Sequence, residues 1–159
     1  MNRYYIAGVS LVGLVVLATA AFLAVRADEA MAHCQVPCGI YDDAARIARL
    51  KEDATTIGKA IEQINELAGK HDARALNQAT RWILTKEEHA SHIIEVLSEY
   101  FLTQRVTPVA PGAEGYEAYV KKLVDHHGVM VAAMKTKQDA DPATVERLNE
   151  AIAALGRHY

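Results

Sequence analysis

The sequence predicts an all-α protein, an antiparallel four-helix bundle over residues 42–159 behind an apolar leader at residues 1–32. Three observations predict it. Four stretches carry apolar residues at alternating spacings of three and four, the helical period. Only four prolines and nine glycines interrupt 159 residues, so long helices can run unbroken. Aromatic residues are 6 % of the chain, which disfavours a sandwich or barrel of short strands.

Residues 4–25 carry no charge, with Arg3 before them and Arg26, Asp28 and Glu29 after. The run is long enough to span a bilayer, which takes roughly 20 apolar residues. A basic start, an apolar middle and the small-residue site Ala30-Met31-Ala32 also make a secretory signal. A cut after Ala32 makes His33 the first residue; an uncleaved anchor is the alternative. Either way the rest of the chain is expected outside the cytoplasm, periplasmic or secreted, and at a membrane only if the leader stays.

The first helix follows Tyr41. Ile47, Leu50, Ala54, Ile57, Ile61, Ile64 and Ala68 form one stripe, and Glu52, Lys59, Glu62 and Glu66 take the other faces. Asp42 and Asp43 suit its first turn and Gly69 its end. A second helix fits residues 73–102, with Leu76, Thr80, Ile83, Ala90, Ile94, Leu97 and Phe101 inward. Residues 107–115 hold Pro108, Pro111, Gly112 and Gly115 and read as a loop. The third helix covers about residues 116–135, with Tyr116, Val120, Leu123, His127, Met130 and Met134 on its stripe. Asp141 as N-cap and Pro142 at the first helical position open the fourth. Its stripe is Val145, Leu148, Ile152 and Leu155.

Several function classes are excluded. Net charge is -3, so no basic excess points to nucleic acid. There is no internal repeat, no glycine-rich phosphate loop and no G-x-S-x-G nucleophile signature. Two cysteines do not make a disulfide scaffold.

The chemistry concentrates in HCQVPCGIY, residues 33–41. The spacing is Cys-x3-Cys, not the Cys-x2-Cys of thioredoxin-like motifs, and no histidine follows Cys38 to attach a c-type haem. A tetrahedral zinc site lacks two further ligands at the usual spacing. If the chain begins at His33, its α-amine and the backbone nitrogen of Cys34 close a five-membered chelate ring. The Cys34 sulfur closes a second ring, and Cys38 reaches the fourth corner. Such a planar N2S2 set suits Ni(II) or Cu(II) rather than Zn(II). The His33 imidazole is left to cap the metal axially, and Tyr41 places a phenol beside the loop. The plainer alternative is a cysteine pair, reduced or disulfide-bonded, in an extracytoplasmic loop.

H-C-x-x-P-C-G-x-Y resembles the nickel hook of the nickel-containing superoxide dismutase family. Tyr100-Phe101 and Asp141-Pro142-Ala143-Thr144 are similar to the family's pattern late in the second helix and at the start of the last. The resemblance implies a nickel hook at residues 33–41, one nickel ion per subunit cycling between Ni(II) and Ni(III), and a homohexamer of four-helix bundles. It implies His33, Cys34 and Cys38 as metal ligands, with the phenols of Tyr41 and Tyr100 near the reacting face. The implied reaction is disproportionation of superoxide to dioxygen and hydrogen peroxide. Because superoxide is anionic and the chain net negative, local basic residues must do any steering.

Two positions depart from the family. Its axial histidine is held by a glutamate on the first helix and an arginine on the second. Ala48 stands at the first position, and residues 85–89 hold no arginine. Glu87, Glu88, His89 and Arg81 are the candidates to substitute. The remaining histidines read as surface or core residues, with His127 rather than His126 inward. Two other functions fit the same residues: an anchored bundle with a thiol or disulfide pair, and a nickel-binding hook without turnover.

Overall fold

The computed structural model describes residues 39–159, so the leader and the hook residues His33, Cys34 and Cys38 lie outside the described residues. Four α-helices follow in chain order: α1 Asp43–Leu67, α2 Ala73–Glu95, α3 Tyr116–Gln138 and α4 Pro142–Leu155. There is no strand among the described residues. Each helix packs on its sequence neighbours, and α1 against α4 closes the square. Pairs that meet across the helices give the directions. Asp43 reaches Tyr100 and Asp53 reaches His89, so α1 and the second rod run opposite ways. Asn65, near the end of α1, donates to the Ala140 carbonyl just before α4. The bundle is therefore antiparallel, as expected.

The caps explain the boundaries. Asp42, Asp72 and Asp141 each accept a backbone N–H of the helix that follows, from Ala45, Ala75 and Ala143. Gly69, at φ +83, turns the chain out of α1 in the left-handed conformation glycine tolerates. Pro142 occupies the first position of α4, where its missing N–H is of no consequence.

The second rod does not stop where an α-helix of this sequence would. α2 passes directly into a π-helix, Val96–Arg105. Thr103 and Gln104 donate side-chain hydrogen bonds to carbonyls five residues back, those of Ser98 and Glu99. Ten residues is long for a helix type seen mostly as single-turn bulges at functional sites.

The interior is apolar. Leu50, Ile57, Ile93, Leu97, Phe101, Val129, Leu148, Ile152 and Leu155 are fully buried. The α3 stripe differs from the sequence expectation by one position, about 100° of helix rotation, and the α2 stripe departs from it over its N-terminal half. On α2, Leu76 and Ile83 are 56 % and 44 % exposed, and Thr80 is exposed and bonded back to the Leu76 carbonyl. The inward face there carries Ala75 and Lys86, with Ile93 in place of Ile94, while Ala90, Leu97 and Phe101 are buried as expected. On α3, His126 is buried with Val129, Ala133 and Thr136, and His127 is exposed.

The buried Lys86 has a specific task. Its Nζ donates to the carbonyls of Thr136 and Lys137 at 2.6 and 2.8 Å. A cation there satisfies the last carbonyls of α3 and meets the negative end of its dipole.

Candidate functional site

The described chain enters the bundle through Gly39, at φ +77, and Ile40, which is exposed. Tyr41 follows, 40 % exposed, and Asp42 then caps α1. Tyr41 lies against the end of the bundle where the π-helix finishes.

Two side chains, Tyr100 and Arg105, converge on Asp43 there. Tyr100 donates its phenolic hydrogen to Oδ1 at 2.7 Å. Arg105 clamps both carboxylate oxygens, Nε donating to Oδ1 at 2.9 Å and Nη2 to Oδ2 at 2.8 Å. A two-point guanidinium–carboxylate pair is directional as well as strong. The Arg105 guanidinium also covers the Tyr41 ring at 4.3 Å, and Arg46 covers the Tyr100 ring at 4.9 Å. The Tyr41 and Tyr100 rings meet edge to face at 6.0 Å. The structure thus brings both sequence-selected tyrosines together, one half open to solvent and one 4 % exposed.

The π-helix is what makes this possible. Tyr100 and Arg105 are five residues apart, about 140° around an α-helix. The i→i+5 repeat of a π-helix brings residues five apart onto one face, and both then reach one carboxylate on α1.

The electrostatics follow from these contacts. Arg105 beside Asp43, helped by the Tyr100 hydrogen bond, holds the carboxyl below the usual range against the opposing effect of burial. The Tyr100 phenol is pushed up to about 12, first by burial and then by its bond to the Asp43 carboxylate. Tyr100 therefore keeps its proton at any ordinary pH, and Asp43 keeps its charge.

Behind Tyr100 the aromatic packing continues inward. Phe101 meets the Tyr100 ring at 4.9 Å and the Tyr159 ring at 4.6 Å. His126 Nδ1 lies 2.6 Å from the Lys122 carbonyl, which can only accept, so Nδ1 carries the hydrogen. Its Nε2 then accepts from the Tyr159 hydroxyl at 3.0 Å. Burial lowers the His126 pKa, consistent with this neutral ring.

The candidates to replace the family's glutamate and arginine lie elsewhere. His89 is bonded to Asp53, ten residues beyond Asp43 and so about 15 Å along α1. Glu87 is paired with Lys86 and Lys137. Glu88 and Arg81 are exposed on α2, and Ala48 is exposed on α1. The carboxylate–guanidinium pair beside Tyr41 is Asp43 with Arg105. From sequence, Asp43 is only a first-turn acid, and Arg105 falls beyond the expected end of the second helix at Leu102, whereas the π-helix carries it to Asp43. Arg46 and Tyr159 carried no sequence signal of their own.

The donors outside the described residues can be judged by their chemistry. The side chains of Cys34, Cys38 and His33, two thiols and an imidazole, are a soft-to-borderline set that fits nickel. The neighbouring described residues are compatible with it: Gly39 lets the chain turn directly after Cys38, and a phenol and a guanidinium stand at the point of entry.

A sequence profile described as nickel-containing superoxide dismutase matches residues 28–159. A protein named superoxide dismutase [Ni] from Streptomyces coelicolor is 31 % identical over 129 residues, 80 % of this chain and 86 % of that protein. One of the same name from Streptomyces seoulensis is 28 % identical over 129 residues, with the same coverage. No solved structure matches.

Proposed function

The chain belongs to the nickel-containing superoxide dismutase family, and from that premise we propose how its own residues carry the activity. It is an oxidoreductase with nickel as cofactor, converting two superoxide anions and two protons to dioxygen and hydrogen peroxide. Residues 1–32 are a leader removed after Ala32, which delivers the protein outside the cytoplasm and frees the amine of His33. His33 through its amine and imidazole, Cys34 through its backbone nitrogen and sulfur, and Cys38 through its sulfur hold one nickel per subunit. When bound, nickel supplies the one-electron Ni(II)/Ni(III) couple, which anionic thiolate and amide donors make accessible. The assembly is a homohexamer.

The described residues supply charge and phenols at the end of the bundle where Tyr41 lies. Arg105 and Arg46 put positive charge on the faces of Tyr41 and Tyr100 in a chain whose net charge is -3. That local charge attracts a small anion to this end of the bundle. Tyr100, with its hydrogen committed to Asp43, is a fixed strut. Tyr41 is the phenol open to solvent, so it is the one free to donate a hydrogen bond to a small anion. Asp43 keeps Arg105 over the Tyr41 ring and thereby orients that phenol.

The observation that carries this reading is the profile match through residues 28–159, which includes the hook motif at residues 33–41. It is tested by following superoxide decay with nickel-loaded protein beginning at His33. Catalytic decay that Cys34→Ser and Cys38→Ser each abolish supports it. Stoichiometric consumption without turnover contradicts it.

A further inference from the structure

Away from this end of the molecule, Asp53 on α1 is 2 % exposed, and each of its carboxylate oxygens holds a histidine of α2. His89 Nδ1 lies 2.7 Å from Oδ1 and His92 Nδ1 lies 2.7 Å from Oδ2. An ionised carboxylate only accepts, so both histidines donate from Nδ1. In the neutral rings the lone pair is then on Nε2. The two histidines are three residues apart and share one helix face. Their side chains are 33 % and 39 % exposed, and both line one cleft of about 360 Å³. A buried carboxylate that fixes the tautomer and orientation of an imidazole is the outer-shell partner that metal-binding histidines use. Here one carboxylate does this for two.

We propose that His89 and His92, oriented by Asp53, form a second metal site that takes a borderline divalent cation through their two Nε2 atoms. Glu88 and Glu95 line the same cleft and add negative charge. Arg49 lines it too and opposes them, with Glu52 at 3.4 Å as its ion-pair partner. Among the described residues no three such side chains form a ready-made cage. The site is therefore a two-histidine anchor whose remaining positions are filled by water. Imidazole donors suit Zn(II), Cu(II) and Ni(II) over Mg(II) or Ca(II). The proposal uses none of the hook ligands and does not depend on the dismutase reading.

The test is titration of Zn(II) into nickel-loaded protein, so that the hook is already filled. Calorimetry is expected to show one further Zn(II) per chain, and proton–nitrogen spectra of the histidine rings are expected to show the Nε2 signals of His89 and His92 moving. Replacing both histidines by glutamine removes that binding. Asp53→Asn, which leaves both donors in place, weakens it about 10–100-fold. Unchanged zinc uptake in the double glutamine variant would overturn the proposal. So would unmoved Nε2 signals in the wild-type protein at millimolar Zn(II), a result that needs no variant to fold.

Discussion

Asp43 at the start of α1 accepts the phenolic hydrogen of Tyr100 at 2.7 Å, across 57 residues of sequence. That bond, with the Arg105 clamp on the same carboxylate, ties the entry of the chain to the end of the π-helix. It also fixes where Tyr41 can lie.

Asp43→Asn keeps the shape and removes the charge. Arg105 loses its anionic partner, at a cost of about 1–3 kcal/mol in a partly exposed setting. A shift of the urea midpoint with unchanged slope checks this. The Tyr100 phenol then titrates below its present value of about 12 but stays above 10.0, because burial is the larger cause and remains. Ultraviolet titration of the phenols reads that directly.

The signs of the pH dependence differ at the two ends of the scale. Asp43 has a lowered pKa in the folded protein, so its contribution is full above the ordinary value of 3.8 and is lost as pH falls through the lowered one. Tyr100 and Tyr159 are both raised to about 12, so their contribution is full below 10.0 and is lost as pH rises toward 12. Stability measured against pH should show both limbs. Asp43→Asn reduces the acid limb, to which Asp125 still contributes, and Tyr100→Phe reduces the alkaline one, to which Tyr159 still contributes.

Arg105→Gln removes the cation from the face of Tyr41. A drop of about three- to tenfold in kcat/KM is expected, with a weaker dependence on ionic strength. Arg105→Lys restores the charge and the salt dependence. It does not restore the stability, since an ammonium cannot reproduce the two-point clamp.

Phe101 and Ile83 share one stripe in the sequence reading and occupy opposite environments in the fold. Phe101→Ala should cost about 3–5 kcal/mol. Ile83→Ala, at a residue 44 % exposed, should stay within about 0.5 kcal/mol for the isolated subunit. Chemical denaturation of the two variants at low protein concentration makes the comparison.

Those two residues also mark what the sequence can and cannot reveal here. Asp42, Gly69, Asp141 and Pro142 act through local backbone chemistry, and each stands where its residue type suggests. The α2 stripe misleads over its N-terminal half because the inward face there uses Ala75 and Lys86 while Leu76, Ile83 and Leu84 face outward. Apolar periodicity follows the larger side chains, and in this half of α2 these are not the buried ones. His126 and His127 are adjacent, and the one-position slip on α3 exchanged them. The π-helix is illegible in VLSEYFLTQR, which reads equally well as α-helix. With it went Arg105, whose reach to Asp43 depends on that geometry. The hook motif, by contrast, is carried by residue identity at fixed spacing and is readable without any fold.

With the proposed amine ligand at His33, a single residue added before it should remove that ligand and most of the turnover while leaving the bundle folded. Circular dichroism checks the fold, and superoxide decay checks the turnover.

Native mass spectrometry of the protein from a host that supplies nickel and processes the chain reads N-terminus, metal and assembly in one spectrum. The account predicts a subunit that begins at His33 and carries one nickel ion, in a six-subunit particle. A chain that keeps residues 1–32 and carries no nickel would contradict it.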